Sequence, residues 1–155
     1  MPTLLPLLSP ACFALDLKPP GHVHKIIMDS WASTALGTSS PINGSELSFA
    51  AMRDGGDGTG PMVLRLVNHV AHPQTVTVRF TAKASGGAFK LRASGGTAKV
   101  LTLQDSVAGA AGNGDNSPAS PDRIAPVSST VPVPVDGGTV VLELPPYSYV
   151  NAVLG

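Results

Sequence analysis

The residues able to do chemistry are few. The chain has two glutamates, Glu46 and Glu143. Two carboxyls in one cleft can divide acid and base duties when their surroundings push their pKa values apart. Glu143 alternates outward from Leu142 and Leu144, the pattern of a solvated strand face. Four histidines fall in two pairs, His22 with His24 and His69 with His72. On a helix, positions i and i+2 point to different faces, so His22 and His24 cannot chelate together there. His69 and His72 flank a turn and lack a third ligand, whereas zinc takes three or four. Cys12 is the single cysteine. It excludes an internal disulfide, and a thiol with no positioned base nearby is inert.

Three further features bear on binding. DGGDGTG (54–60) resembles a calcium loop, yet it lacks acids at alternate positions and a closing glutamate; it reads as a hairpin turn. Trp31, Tyr147 and Tyr149 could stack on sugar rings. Trp31, however, fits an apolar helix face, and the two tyrosines share one sheet face, where burial with bonded hydroxyls is the ordinary outcome. Asn43-Gly44-Ser45 is an N-glycosylation sequon, relevant to a secreted chain and placing Asn43 on the surface. These readings assign no catalytic, substrate-binding or metal-ligating residue and no cofactor.

The elements that carry these residues follow from the hydrophobic period. In HVHKIIMDSW (22–31), Val23, Ile26, Ile27 and Trp31 recur at helical spacing, after Pro19-Pro20-Gly21. The period changes to two from Glu46. ELSFAAMR (46–53) and PMVLRLVNH (61–69) read as a hairpin, followed by QTVTVRFTA (74–82) with Val76, Val78 and Phe80 on one face. FKLR (89–92), TAKVLTL (97–103), RIAPV (123–127), TVVLELP (139–145) and PYSYVNAVL (146–154) continue the rhythm. Seven or eight short strands without intervening helices predict an antiparallel sandwich. SPASPDRIAPV (117–127) reads as ordered extended chain ending in an edge strand, where proline is tolerated.

Composition narrows the function classes. The 155 residues suit about one domain. Ten basic residues balance ten acidic ones, so nothing marks the chain for nucleic acid or an anionic membrane. Only 13% of residues are charged, which leaves much of the surface to small polar residues or to a covering partner. The start, MPTLLPLLSPACFALDLKPP, has an apolar run, but no Lys or Arg precedes it and three prolines interrupt it. It makes a poor secretion signal and falls far short of a membrane span.

Four ordered pieces carry a family resemblance: VLRLVNHVAHPQTVTVRF (63–80), TAKVLTLQD (97–105), DNSPASPDRIAPV (115–127) and LELPPYSYV (142–150). Together they resemble the C-terminal domain of α-L-arabinofuranosidases of glycoside hydrolase family 51. The resemblance implies an all-β, jelly-roll-like antiparallel β-sandwich over 46–154. It also implies that residues 21–36 form a short amphipathic helix like the last helix of the family's barrel. Residues 1–20 are expected to be poorly ordered, although ACFALDL (11–17) could add a strand.

The family releases terminal arabinofuranosyl units from arabinan and arabinoxylan side chains, with two glutamates at the ends of barrel strands. Neither Glu46 nor Glu143 lies in such a motif, and a (β/α)₈ barrel needs about 200 residues or more. The expectation is therefore an accessory domain that is not catalytic alone; the alternative is a stand-alone carbohydrate-binding or structural module. The Val23/Ile26/Ile27/Trp31 face then needs a cover: the sheet, a barrel-bearing chain or a second copy. An arabinose-containing polysaccharide is the expected ligand class, and secretion is implied by resemblance alone.

Overall fold

In a computed structural model of the chain, residues 18–55, 60–81, 96–107, 114–134 and 138–155 are described. The expectations for residues 1–17, including Cys12 and the ACFALDL strand, and for FKLR (89–92) lie outside the described residues.

Among the described residues, one helix, α1 (Pro19–Asp29), precedes eight strands. Its start follows from covalent geometry. Lys18 is extended (φ −62°, ψ 152°), as a residue before proline must be, and Pro19 and Pro20 occupy positions whose N–H groups would lack helical partners anyway. Its end is enforced from two sides. The Ser30 N–H and the Ser30 hydroxyl both donate to the Ile26 carbonyl, at 3.1 and 2.7 Å. Arg65, from a strand, donates through Nη2 to the carbonyls of Ile27 and Ser30, at 3.4 and 3.1 Å. A guanidinium at a helix C-terminus complements the negative end of the dipole.

The strands are β1 (Thr34–Ala35), β2 (Leu47–Arg53), β3 (Met62–Asn68), β4 (Gln74–Arg79), β5 (Thr97–Asp105), β6 (Ile124–Pro132), β7 (Thr139–Leu144) and β8 (Tyr149–Leu154). Six form one sheet in the order β1-β2-β3-β8-β5-β6; β4 and β7 form a second. Every pairing is antiparallel. The chain changes sheets at β3–β4, β4–β5, β6–β7 and β7–β8, the connectivity of a double-sheet, Greek-key architecture. The fold is all-β with one short helix.

Register decides what is buried. Leu64 lies opposite Ala51 and Ala152, Ala152 opposite Val100, and Leu66 opposite Val150. These side chains share the inner face of the large sheet and form one core with Val76, Val140, Leu142 and Leu144 of the small sheet. Truncating a fully buried member such as Leu66 to alanine costs about 2–5 kcal/mol. The sheet edges are blunt: β1 has two residues, and β6 carries Pro126 and Pro132.

The outer face of the large sheet holds the helix, which lies against β5 and β6. Leu103 and Ile124, on the opposite face from Val100, are buried on that side. Ile26 is buried; Val23 and Ile27 are half-buried. Trp31 departs from the sequence reading. The helix ends at Asp29, so the residue leaves the apolar face and stands 60% exposed, beside an equally exposed Met28. The segment 21–36 therefore contains helix, a turn and strand β1.

Candidate functional site

Two fully buried asparagines tie the fold's loops together. Asn68 ends β3, and its Nδ2 donates to the carbonyls of Pro145 (2.8 Å), His72 (2.9 Å) and Leu144 (3.4 Å). Its Oδ1 accepts from the Val70 N–H at 3.1 Å. The β7–β8 turn closes on the same point: the Asn68 N–H donates to the Ser148 carbonyl, and the Ser148 hydroxyl to the Pro145 carbonyl. Tyr147 adopts φ 47° in that turn, left-handed for a bulky residue, while its N–H reaches the Val70 carbonyl at 3.1 Å. It is 37% exposed; only Tyr149 lies on the strand, half-buried. The two tyrosines thus do not share a sheet face, because the turn intervenes.

Asn116 performs the second closure. Its side-chain amide pairs with both backbone groups of Ile124, accepting from the N–H at 2.7 Å and donating to the carbonyl at 2.9 Å. Its own carbonyl accepts from Lys18 Nζ, which also reaches Asp115 Oδ2 at 2.9 Å, so the start of α1 is moored to this loop. Next to it, Arg123 grips Asp105 through Nε (2.9 and 3.0 Å) and Nη2 (2.7 Å). The Arg123 hydrogen bonds hold the Asp105 carboxyl below its ordinary pKa against the opposing effect of burial, with help from the Val107 N–H. Gly114 makes the close approach possible: a Cβ there would overlap Asp105 Oδ2 and sit 2.9 Å from Arg123 Nη2. The segment from Asp115 is thus ordered through specific polar contacts.

The residues singled out for chemistry are spread over several elements. Glu46 is exposed just before β2. Glu143 is exposed on β7, where both carboxylate oxygens accept from Thr75 Oγ1, at 3.0 and 2.8 Å. His22 is half-buried on α1, with Nε2 3.5 Å from Asn116 Nδ2; His24 and His72 are exposed. Among the described residues, no group of three or more His, Cys, Asp or Glu could hold a metal. Of the 54–60 turn, Asp54, Gly55 and Gly60 are described; the Asp54 N–H donates to the Pro61 carbonyl, closing the β2–β3 hairpin. Asn43 is exposed between β1 and β2.

One pairing was not read from the sequence. Ser48 Oγ lies 2.8 Å from His69 Nε2, both exposed. Their spacing in sequence gives no signal; only the β2–β3 register brings them together. Nucleophilic chemistry also needs an oriented base and aligned oxyanion donors.

Two surfaces suit binding rather than bond breaking. The first is the exposed Met28–Trp31 end of α1. The second is a groove of about 750 Å³ between β2 and β4, whose lining includes Leu36, Ile42, Phe49, Val78 and Phe80 with Arg79. No helix among the described residues is long and apolar enough to cross a membrane.

The double-sheet β-domain with one packed helix resembles part of several solved glycoside hydrolase structures. An arabinose-bound family 51 α-L-arabinofuranosidase aligns with a TM-score of 0.65 at 20% identity, over 88% of this chain and 19% of that one. The family 51 arabinofuranosidase from Xanthomonas axonopodis pv. citri aligns at 0.52 and 22% identity, over 78% and 21%. A family 30 endoxylanase from Clostridium papyrosolvens aligns at 0.56 and 13%, over 88% and 28%. The chain thus spans about a fifth to just over a quarter of these structures. These matches fit the C-terminal domain of family 51 enzymes; at such identities, the likeness is one of fold. No protein-family model and no curated protein matches the chain.

Proposed function

We propose that the chain is an accessory β-sandwich domain of an α-L-arabinofuranosidase-like glycosidase, supporting catalysis that takes place on another structural unit. The observation that carries this reading is the asymmetry of the match. Nearly all of this chain aligns to a fifth of an arabinofuranosidase, and its own two glutamates stand on different elements, Glu46 exposed before β2 and Glu143 on β7 with its carboxylate held by Thr75. Its role is to present the α1 side, with Met28 and Trp31 exposed, to a barrel-bearing chain or a second copy. The substrate of the assembled enzyme would be arabinose-bearing side chains of arabinan or arabinoxylan.

Incubation of the pure chain with an aryl α-L-arabinofuranoside tests this. The expected result is no turnover above buffer. Turnover abolished by Glu46→Gln or Glu143→Gln would overturn the reading.

One observation favours a second reading, a stand-alone carbohydrate-binding module: Trp31 is 60% exposed and Tyr147 37%, and exposed aromatic faces can stack on sugar rings. Calorimetric titration with arabino-oligosaccharides separates the two. Saturable heat lost in Trp31→Ala supports the binding module; its absence leaves the accessory role.

A further inference from the structure

We propose that Asn43 is an acceptor for an N-linked glycan and that the sugar stands at the mouth of the β2–β4 groove. The chain has five asparagines, and Asn43 is the only one followed by the x-Ser/Thr pattern without an intervening proline. The others are excluded by sequence or by position. Asn68, Asn116 and Asn151 are fully buried and none heads a sequon; Asn116 is followed by Ser117-Pro118.

The structure gives Asn43 what an acceptor needs. Asn43, Gly44 and Ser45 are all exposed. The Ser45 N–H donates to Asn43 Oδ1 at 3.1 Å. That bond uses the amide oxygen, and among the described residues nothing accepts from Nδ2, the atom to be modified. The turn is fixed from behind, since the N–H groups of Glu46 and buried Leu47 donate to the Asn43 carbonyl at 2.9 and 3.1 Å. Space is available: a Cβ placed on Gly44 would meet nothing within 4 Å. Modification would therefore break no contact of the fold.

The position also has a physical use. Ser39, Ser40, Pro41 and Ile42, immediately before Asn43, line the apolar groove. With only 13% charged residues in the chain, a hydrated oligosaccharide there would add polar cover beside the apolar part of the groove.

The bond made joins Asn43 Nδ2 to C1 of the first sugar. The bond broken joins that carbon to the diphosphate of a lipid-linked oligosaccharide donor. The amide loses one proton, and the lipid diphosphate leaves with the electron pair.

The full chain, routed through the secretory lumen of a eukaryotic cell behind a cleavable signal, provides the test. The expected result is a mass increment removed by peptide N-glycosidase, with conversion of residue 43 to aspartate read by peptide mass spectrometry. Asn43→Gln and Ser45→Ala should each remove the increment, and Ser45→Thr should retain or raise occupancy. Protein retained in the cell is read the same way from the microsomal lumen, so poor secretion does not prevent the measurement. Wild-type chain recovered from the lumen with residue 43 unmodified, or an increment surviving Asn43→Gln, would overturn the proposal.

Discussion

The side chain of Asn116 and the backbone of Ile124 exchange two hydrogen bonds, at 2.7 and 2.9 Å, in a place from which water is excluded. A primary amide has the same donor and acceptor as a peptide unit. Asn116 therefore supplies the partner that the first residue of β6 would otherwise lack. Asn116→Ala leaves a buried N–H and a buried carbonyl unpaired, each costing about 1–3 kcal/mol. The expected destabilisation is about 2–4 kcal/mol, read as a lower denaturation midpoint in urea with an unchanged slope. Asn116→Asp should not rescue it, because the carboxylate keeps the acceptor, loses the donor and brings a charge into a buried site.

Asp105 and Arg123 give acid stability a defined sign. The carboxyl is held below its ordinary value, about 4, chiefly by the Arg123 hydrogen bonds. A depressed folded-state pKa contributes stability that is fully present above the unfolded value and is lost as pH falls through the folded one. Wild type should therefore lose stability relative to Asp105→Asn as pH is taken from about 5 downward, and the two curves should run parallel above that. Gly114→Ala should flatten the same step, since its methyl occupies the space in which the two side chains meet. Denaturation midpoints measured across pH check both. The exposed Lys18–Asp115 pair should show a smaller effect that salt removes.

How much could be read beforehand depends on the range of each signal. The β2–β3 hairpin and the outward position of Glu143 follow from alternation within a few residues: β2 pairs with β3, although Val63 is buried out of phase, and Glu143 is exposed between buried Leu142 and Leu144. The end of α1 depends on Arg65, 35 residues after Ser30 in sequence and on another element. Local periodicity therefore carried Trp31 onto a face that it does not occupy. Asn68 and Asn116 stood in sequence pieces that already resembled a known family, but their work is done on Pro145 and Ile124. Tertiary placement creates those contacts, and one-dimensional spacing does not display them.

Trp31 and Met28 bear on association. Because Trp31 is 60% exposed, Trp31→Ser should change stability by no more than about 0.5 kcal/mol. If this end of α1 meets another chain, the same substitution, better still combined with Met28→Glu, should lower the sedimentation coefficient of concentrated wild-type protein toward that of a monomer. Wild type that is monomeric at all concentrations and indifferent to the substitution would remove the α1 end as a self-association surface.

Tyr149 presents the opposite case, a buried polar atom with no visible reward. Its hydroxyl is inaccessible and has no hydrogen-bond partner among the described residues. Burial pushes the phenol's pKa above its usual value of about 10, against the pull of nearby Arg65. A raised folded-state value means the unfolded chain ionises first, so this contribution is intact below the unfolded pKa and is lost as pH rises through the folded one. Tyr149→Phe should therefore be neutral or stabilising at pH 7, since it removes an unpaired group while keeping the ring, and should blunt the alkaline decline. In an ultraviolet titration of folded protein, Tyr149→Phe should remove a phenol step lying above the usual range; a variant that keeps that late step would overturn the assignment.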